Sequence, residues 1–82
     1  MIIVSQDKTK IVNFDNLTQI YITQDEEETA FFIRYETVDG LYDDLGEYKT
    51  EKRAKTILSA IGKEYIMGKE MSFNSFYEMP ED

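Results

Sequence analysis

The side chains with chemistry to offer in this chain are carboxylates and phenols. Its 82 residues include seventeen Asp and Glu and six Tyr, but no His and no Cys. Without His there is no side chain whose unperturbed proton exchanges near neutral pH. Without His and Cys the ordinary zinc ligands are missing, and without Cys there is no thiol nucleophile. Glu36, Asp43 and Asp44 could trade a proton as paired carboxylates if burial raised one of them. Nothing near them in the chain supplies a nucleophile or an oxyanion donor, so they read as exposed hairpin acids. Phosphate loops, dinucleotide fingerprints, nucleophile elbows and EF-hand loops are absent. Residues 39–44 come nearest to a calcium loop but lack its spaced ligands. The expectation is a protein that is not an enzyme and uses no metal or cofactor.

Recognition chemistry remains. Asp25, Glu26, Glu27, Glu28, Glu36, Asp43 and Asp44 make a candidate acidic partner surface. Residues 25–47 set nine acids against Arg34 alone, whereas residues 48–69 set six bases against Glu51 and Glu64; the whole chain carries −8. A field divided in this way steers charged partners. The plainer reading is that excess charge keeps a small domain soluble, and that acids at a hairpin tip discourage edge-to-edge aggregation. Direct nucleic-acid binding is disfavoured, because an acidic body repels phosphate. A compact acidic hairpin can instead imitate phosphate charge and occupy a nucleic-acid site on another protein. A further alternative is a nucleotide or small-molecule site at an oligomer interface, built from tyrosines and the basic segment.

The elements that must position these groups follow from periodicity. Ile2-Ile3-Val4 and Lys10–Phe14 read as short strands around a turn at Gln6-Asp7-Lys8-Thr9. Asp15-Asn16 makes a second turn. Leu17–Thr23 is the third strand, with Ile20 and Ile22 on one face and Leu17, Tyr21 and Thr23 on the other. Ala30–Val38 is the strongest strand. Asp39-Gly40 then predicts a two-residue hairpin turn, which fixes the register that follows. Phe31 faces Tyr48, Ile33 faces Gly46, Arg34 faces Leu45 and Glu36 faces Asp43. The last pair opposes two like charges, which destabilises a ladder. Either Arg34 offsets it diagonally, or a bulge near Leu45-Gly46 shifts the pairing.

Thr50 is placed to cap a helix running to Met67, with Glu51 in its first turn and Gly68 just past its end. Ala54, Ile57, Leu58, Ile61 and Tyr65 form its apolar stripe, expected to pack on Phe31 and Ile33. Gly62 weakens this helix, and close approach to the sheet is a reason for it to be there. The tail from residue 69 alternates weakly and is a late edge strand or an arm, with Phe73, Phe76 and Tyr77 as apolar contributors; Pro80 stops it.

The expected architecture is one α+β domain. Residues 1–49 form an antiparallel meander of four to five strands, and residues 50–68 a helix on one face. One helix covers one face. The register leaves Phe32, Val38, Leu41 and Leu45 on the other, with Tyr21 beside them. An exposed apolar patch of that extent marks an interface, so a homo-oligomer, in its commonest form a dimer, is expected. No apolar run reaches the length of a membrane span, and the lack of Cys fits a reducing compartment. The chain reads as cytoplasmic.

Three motifs carry a likeness: Ile3-Val4-Ser5-Gln6-Asp7-Lys8, Ile11-Val12-Asn13-Phe14-Asp15-Asn16, and Leu45-Gly46-Glu47-Tyr48-Lys49-Thr50-Glu51 with Ala54. With them the chain resembles a group of small uncharacterised proteins of bacteriophages and Gram-positive bacteria. The resemblance implies an accessory protein of a phage or mobile element, with a host protein as partner. By analogy it also implies a role against host defence, through binding a nuclease or sequestering a signalling nucleotide.

Overall fold

A computed structural model of the chain describes residues 1–71 and 75–82. Phe73, expected in the apolar part of the tail, lies outside the described residues. The class is α+β, but the strands form two sheets rather than one meander. Strands β1 (Ile2–Val4), β2 (Ile11–Asn13) and β6 (Phe76–Glu78) make a small sheet in the order β2-β1-β6. Strands β3 (Leu17–Gln24), β4 (Phe31–Thr37) and β5 (Tyr42–Tyr48) make a larger one in the order β3-β4-β5. The helix α1 spans Glu51–Glu70.

The split occurs at Asp15-Asn16. Asn13 accepts a hydrogen bond from the Asp15 backbone N–H at 3.0 Å and caps a short 3-10 turn, Phe14–Asn16. That turn separates β2 from β3, so the first hairpin cannot extend the second sheet. The tail supplies the missing third strand, β6, which runs parallel to β1. Its alternation is as expected: Ser75 and Met79 are buried, Tyr77 is half-buried and Phe76 is exposed.

The larger sheet is antiparallel throughout. Phe31 pairs with Tyr48 and Ile33 with Gly46, but Arg34 pairs with Asp44, Tyr35 with Asp43 and Glu36 with Tyr42. The turn explains the change. The backbone N–H of Thr37 donates to Leu41 O at 2.8 Å and that of Gly40 to Thr37 O at 3.0 Å. The loop is therefore Val38-Asp39-Gly40, one residue longer than expected, and Gly40 alone takes a positive φ, +84°. A type I turn followed by a left-handed glycine is the usual three-residue hairpin loop. A bulge at Leu45 absorbs the odd residue, and the opposed Glu36 and Asp43 never meet.

The core lies between the helix, the small sheet and one face of the larger sheet. Ile3 and Met79 come from the small sheet and tail; Ile33, Leu45 and Tyr48 from the larger sheet; Ala54, Ile57 and Ile61 from the helix. Leu58 is only half-buried, because it sits at the margin of the helical stripe. Thr50 caps α1 as expected, accepting from the Arg53 N–H at 3.1 Å. The helix does not stop at Gly68, which is buried within it. Met71 closes the last turn through Met67 O and Lys69 O. No contact requires Gly62: a Cβ built there meets nothing within 4 Å.

Candidate functional site

Two sheet faces point outward. In the small sheet, alternation turns Ile3, Val12 and Tyr77 inward and Ile2, Val4, Ile11 and Phe76 outward. Ile2, Ile11 and Phe76 are exposed. This exposed trio is not among the interface residues expected from the sequence. The signal was there, in apolar residues on both sides of so short a strand.

The larger sheet leaves the face opposite the helix open. Its residues lie in three cross-strand rows: Thr23, Phe32 and Glu47; Tyr21, Arg34 and Asp44; Gln19, Glu36 and Tyr42. Arg34 is the centre. Its Nε donates to Asp44 Oδ1 at 2.8 Å, its Nη2 lies 3.5 Å from Asp44 Oδ2, and its guanidinium carbon sits 5.0 Å from the centre of the Tyr42 ring. The hydrogen bond that the guanidinium donates to Asp44 raises it above its ordinary pKa, and the Tyr21 phenol adds to the effect. In the next row Gln19 Nε2 donates to Glu36 Oε2 at 3.3 Å. The face is thus a lattice of rings and held charges rather than a greasy patch.

Of the five residues expected at an interface, four remain accessible. Phe32 and Tyr21 stand half-buried on the open face. Val38 and Leu41 are 75% and 69% exposed at the β4–β5 tip, beside the exposed Tyr42. Leu45 does not belong with them: it is 2% exposed and part of the core. The reason is the bulge, which leaves Leu45 without a partner on β4 and lets its side chain turn inward.

The acidic residues do not gather into one surface. The β3–β4 turn and the β4–β5 turn lie at opposite ends of β4, roughly 20 Å apart for a strand of this length. Asp25 builds its turn: it accepts from the N–H and Oγ1 of Thr29 at 2.8 and 2.7 Å and from the Ala30 N–H at 3.3 Å. The Thr29 hydroxyl is the main cause of its lowered pKa. Glu28 takes a left-handed φ of 59° there, and Glu26, Glu27 and Glu28 are left exposed. Asp44 is held by Arg34, and Asp43 Oδ2 lies 3.8 Å from Lys10 Nζ. Glu36, Asp43 and Asp44 therefore have separate partners. Among the described residues no three His, Cys, Asp or Glu side chains gather as metal ligands.

A second arrangement, also unforeseen, closes the outer edge of β5. Gln6 donates through Nε2 to Glu47 O at 3.0 Å and to Glu81 O at 2.7 Å, and its Oε1 accepts from the Glu47 N–H at 2.9 Å. Tyr48 Oη donates to Pro80 O at 2.8 Å, and Arg53 Nε donates to Asp82 O at 3.1 Å. Three successive tail carbonyls are held, and the sheet edge is covered, which removes one site of strand addition. A groove of about 680 Å³ beside the tail is lined by Thr29, Tyr48, Lys49, Thr50 and Arg53 among others.

Fold and surface together define a small α+β domain with one sheet face packed and one presented. No protein-family model, curated protein or solved structure matches the chain. None of the described helices is long and apolar enough to cross a membrane.

Proposed function

We propose that this is a non-enzymatic interaction protein that acts by docking another protein on the open face of β3-β4-β5. One observation supports this most: the face opposite the helix carries Tyr21, Phe32 and Tyr42 among Glu36, Asp44 and Glu47. Rings with polar tips are the commonest energetic anchors of interfaces. These three acids outnumber Arg34 on the face and favour a basic partner surface. The likeness to phage proteins suggests an accessory role in a cytoplasm where the partner belongs to the host.

The exposed run Glu26-Glu27-Glu28, held on a turn fixed by Asp25, supports a second reading. In it that tip imitates phosphate charge and occupies a nucleic-acid site on the partner. Capture from a Gram-positive host lysate separates the two. The bait would be compared with Tyr42→Ser and with a variant carrying Gln at 26, 27 and 28. Under the sheet-face reading Tyr42→Ser lowers recovery of the partner at least about tenfold, as loss of an anchor ring does, and the Gln variant retains it. Loss with the Gln variant alone transfers the function to the tip.

A further inference from the structure

Among the described residues, β3 is the one long strand with an open edge. It lies at the margin of the larger sheet, and no described strand pairs with its far side. The chain guards its other edges. Gln6 covers β5, and β2 and β6, at the margins of the small sheet, are three residues each. Short, charged or covered edges are how sheets avoid adding strands. β3 lacks these devices. It runs eight residues, Leu17–Gln24, within the longest uncharged stretch of the chain, Asn16 to Gln24, and holds no Pro or Gly. Its single irregularity, between Leu17 and Gln19, lies at one end and leaves Gln19–Gln24 in regular register with β4.

The groups along this edge are identifiable. The Asp25 N–H donates to Ala30 O at 3.3 Å. Alternation from that bond turns the backbone of Thr23, Tyr21 and Gln19 toward β4 and that of Ile20, Ile22 and Gln24 outward. The side chains of Ile20 and Ile22 lie on the inner face against the core, yet both stay half-buried. A strand added here takes up their N–H and C=O groups and extends the core across the seam.

We infer that this strand is β3 of a second copy, antiparallel, so that two three-stranded sheets become one continuous sheet. A two-fold axis perpendicular to the sheet sets inner residues opposite inner ones and outer opposite outer. Centred on Tyr21, it sets Ile20 opposite Ile22, Gln19 opposite Thr23 and Tyr21 opposite itself. Each Ile20 exchanges both backbone bonds with an Ile22, and the isoleucines of both copies form one row on the inner face. Apolar meets apolar, polar meets polar, and no charges are opposed. The strand is complementary to itself. Centring on Ile22 would set Ile20 against Gln24, and centring on Ile20 would use the irregular end. A second copy also brings its strand already extended and held, whereas a free peptide loses conformational freedom on binding. The seam consumes the edge of both copies, so growth stops at two. It lies on the far side of the sheet from Tyr42 on β5, and the inference does not depend on docking there.

Sedimentation of the full chain is the first test. At about 100 µM, well above a micromolar dissociation constant, the mass should be that of a dimer and grow no further. Salt at about 0.5 M should leave it intact, because the seam has no charges to screen. Cysteine substitution then tests the register, in a chain with no Cys of its own. Gln19 and Thr23 of opposite copies come about 4.5 Å apart between Cα atoms, within reach of a disulfide. Two copies of Gln19 lie about 14 Å apart, too far for one. Under mild oxidation Gln19→Cys mixed with Thr23→Cys should cross-link at least about tenfold faster than either variant alone. Urea should abolish the difference. Both variants should melt as the unmodified chain does, since Gln19 is exposed and Thr23 sits on the outer face. Tyr42→Ser should leave the dimer intact, whatever it does to capture of a partner from lysate. A monomer mass at about 100 µM overturns the inference. So does a dimer whose cysteines link without this preference, because its interface lies elsewhere. A monomer that cross-links through Gln19→Cys or Thr23→Cys to a captured partner also overturns it, and gives the edge to another protein's strand.

Discussion

Gly46 and Tyr48 show how one small residue can hold a large one in place. Both point to the same side of β5, and the Tyr48 ring lies over Gly46. A Cβ on Gly46 would come within 2.8 Å of Tyr48 Oη and 2.9 Å of Cε2. The ring cannot yield cheaply, since it is 2% exposed and its hydroxyl is bonded to Pro80 O. Gly46→Ala should therefore cost about 1–3 kcal/mol as an overpacked core position, measured by thermal or urea unfolding. Burial, with Tyr77 adding to it, pushes the Tyr48 phenol up to about 12. The folded state thus favours the protonated form. Its contribution is complete below pH 10, the ordinary tyrosine value, and fades as pH rises from there through 12. The alkaline loss of stability between pH 10 and 12 should be shallower in Tyr48→Phe, even though that variant starts about 1 kcal/mol lower for want of the hydrogen bond to Pro80. Asp7 shows the opposite case. Hydrogen bonds from Thr9 and Ser5 hold its carboxyl down at about 2, so the turn it builds keeps its charge in all but strong acid.

Among the elements, the helix was the most legible. Thr50 as cap and the run Ala54, Ile57, Ile61 were readable because capping chemistry and a 3.6-residue period are local properties. Its end was less so, since Gly68 looks like a terminator, yet burial keeps it helical. Gly62 has neither a packing role nor a positive φ. Gly62→Ala should stabilise the protein by about 0.5–1 kcal/mol and raise its melting temperature by several degrees. An unchanged or lower value would show a close contact the structure lacks. The β4–β5 hairpin was half legible. The Asp39-Gly40 signal correctly placed a turn, but a two-residue and a three-residue loop share that dipeptide. One residue of difference sent Leu45 to the core and set Arg34 beside Asp44. The presented face therefore differs from the expected one in character: it is ion-paired and aromatic, where a continuous apolar patch was expected. Tyr42, exposed at the edge of that lattice, was visible in the sequence only as one of six tyrosines.

At the scale of the molecule, what the sequence left hidden is long-range. That the chain would divide into two sheets depends on a three-residue 3-10 turn and on a tail strand pairing with β1, more than seventy positions away. No local pattern encodes such a contact. Met79 joins the tail to the rest of the core. It is 1% exposed, and its N–H donates to Val4 O at 3.0 Å. Met79→Ala should cost about 2–5 kcal/mol, a large share of what a domain this small has to spare. Amide exchange should locate the damage. Protection should fall in residues 2–4 and 76–78, and the β3-β4-β5 amides should keep more of theirs.

The placement of β1 between β2 and β6 also bears on the order in which the chain is made. Residues 2–4 are synthesised before β2 to β5 and the helix, and their parallel neighbour, residues 76–78, after them. While β3, β4, β5 and α1 emerge they can assemble from contacts close in sequence, which form fastest. Ile3 must wait for Met79. On the ribosome the nascent chain is thus a folded hairpin sheet and helix, with β1 paired to β2 on one edge and its other edge still bare. The small sheet closes only once residues 76–78 have emerged, so a chain stalled before them would present that bare strand edge to its neighbours.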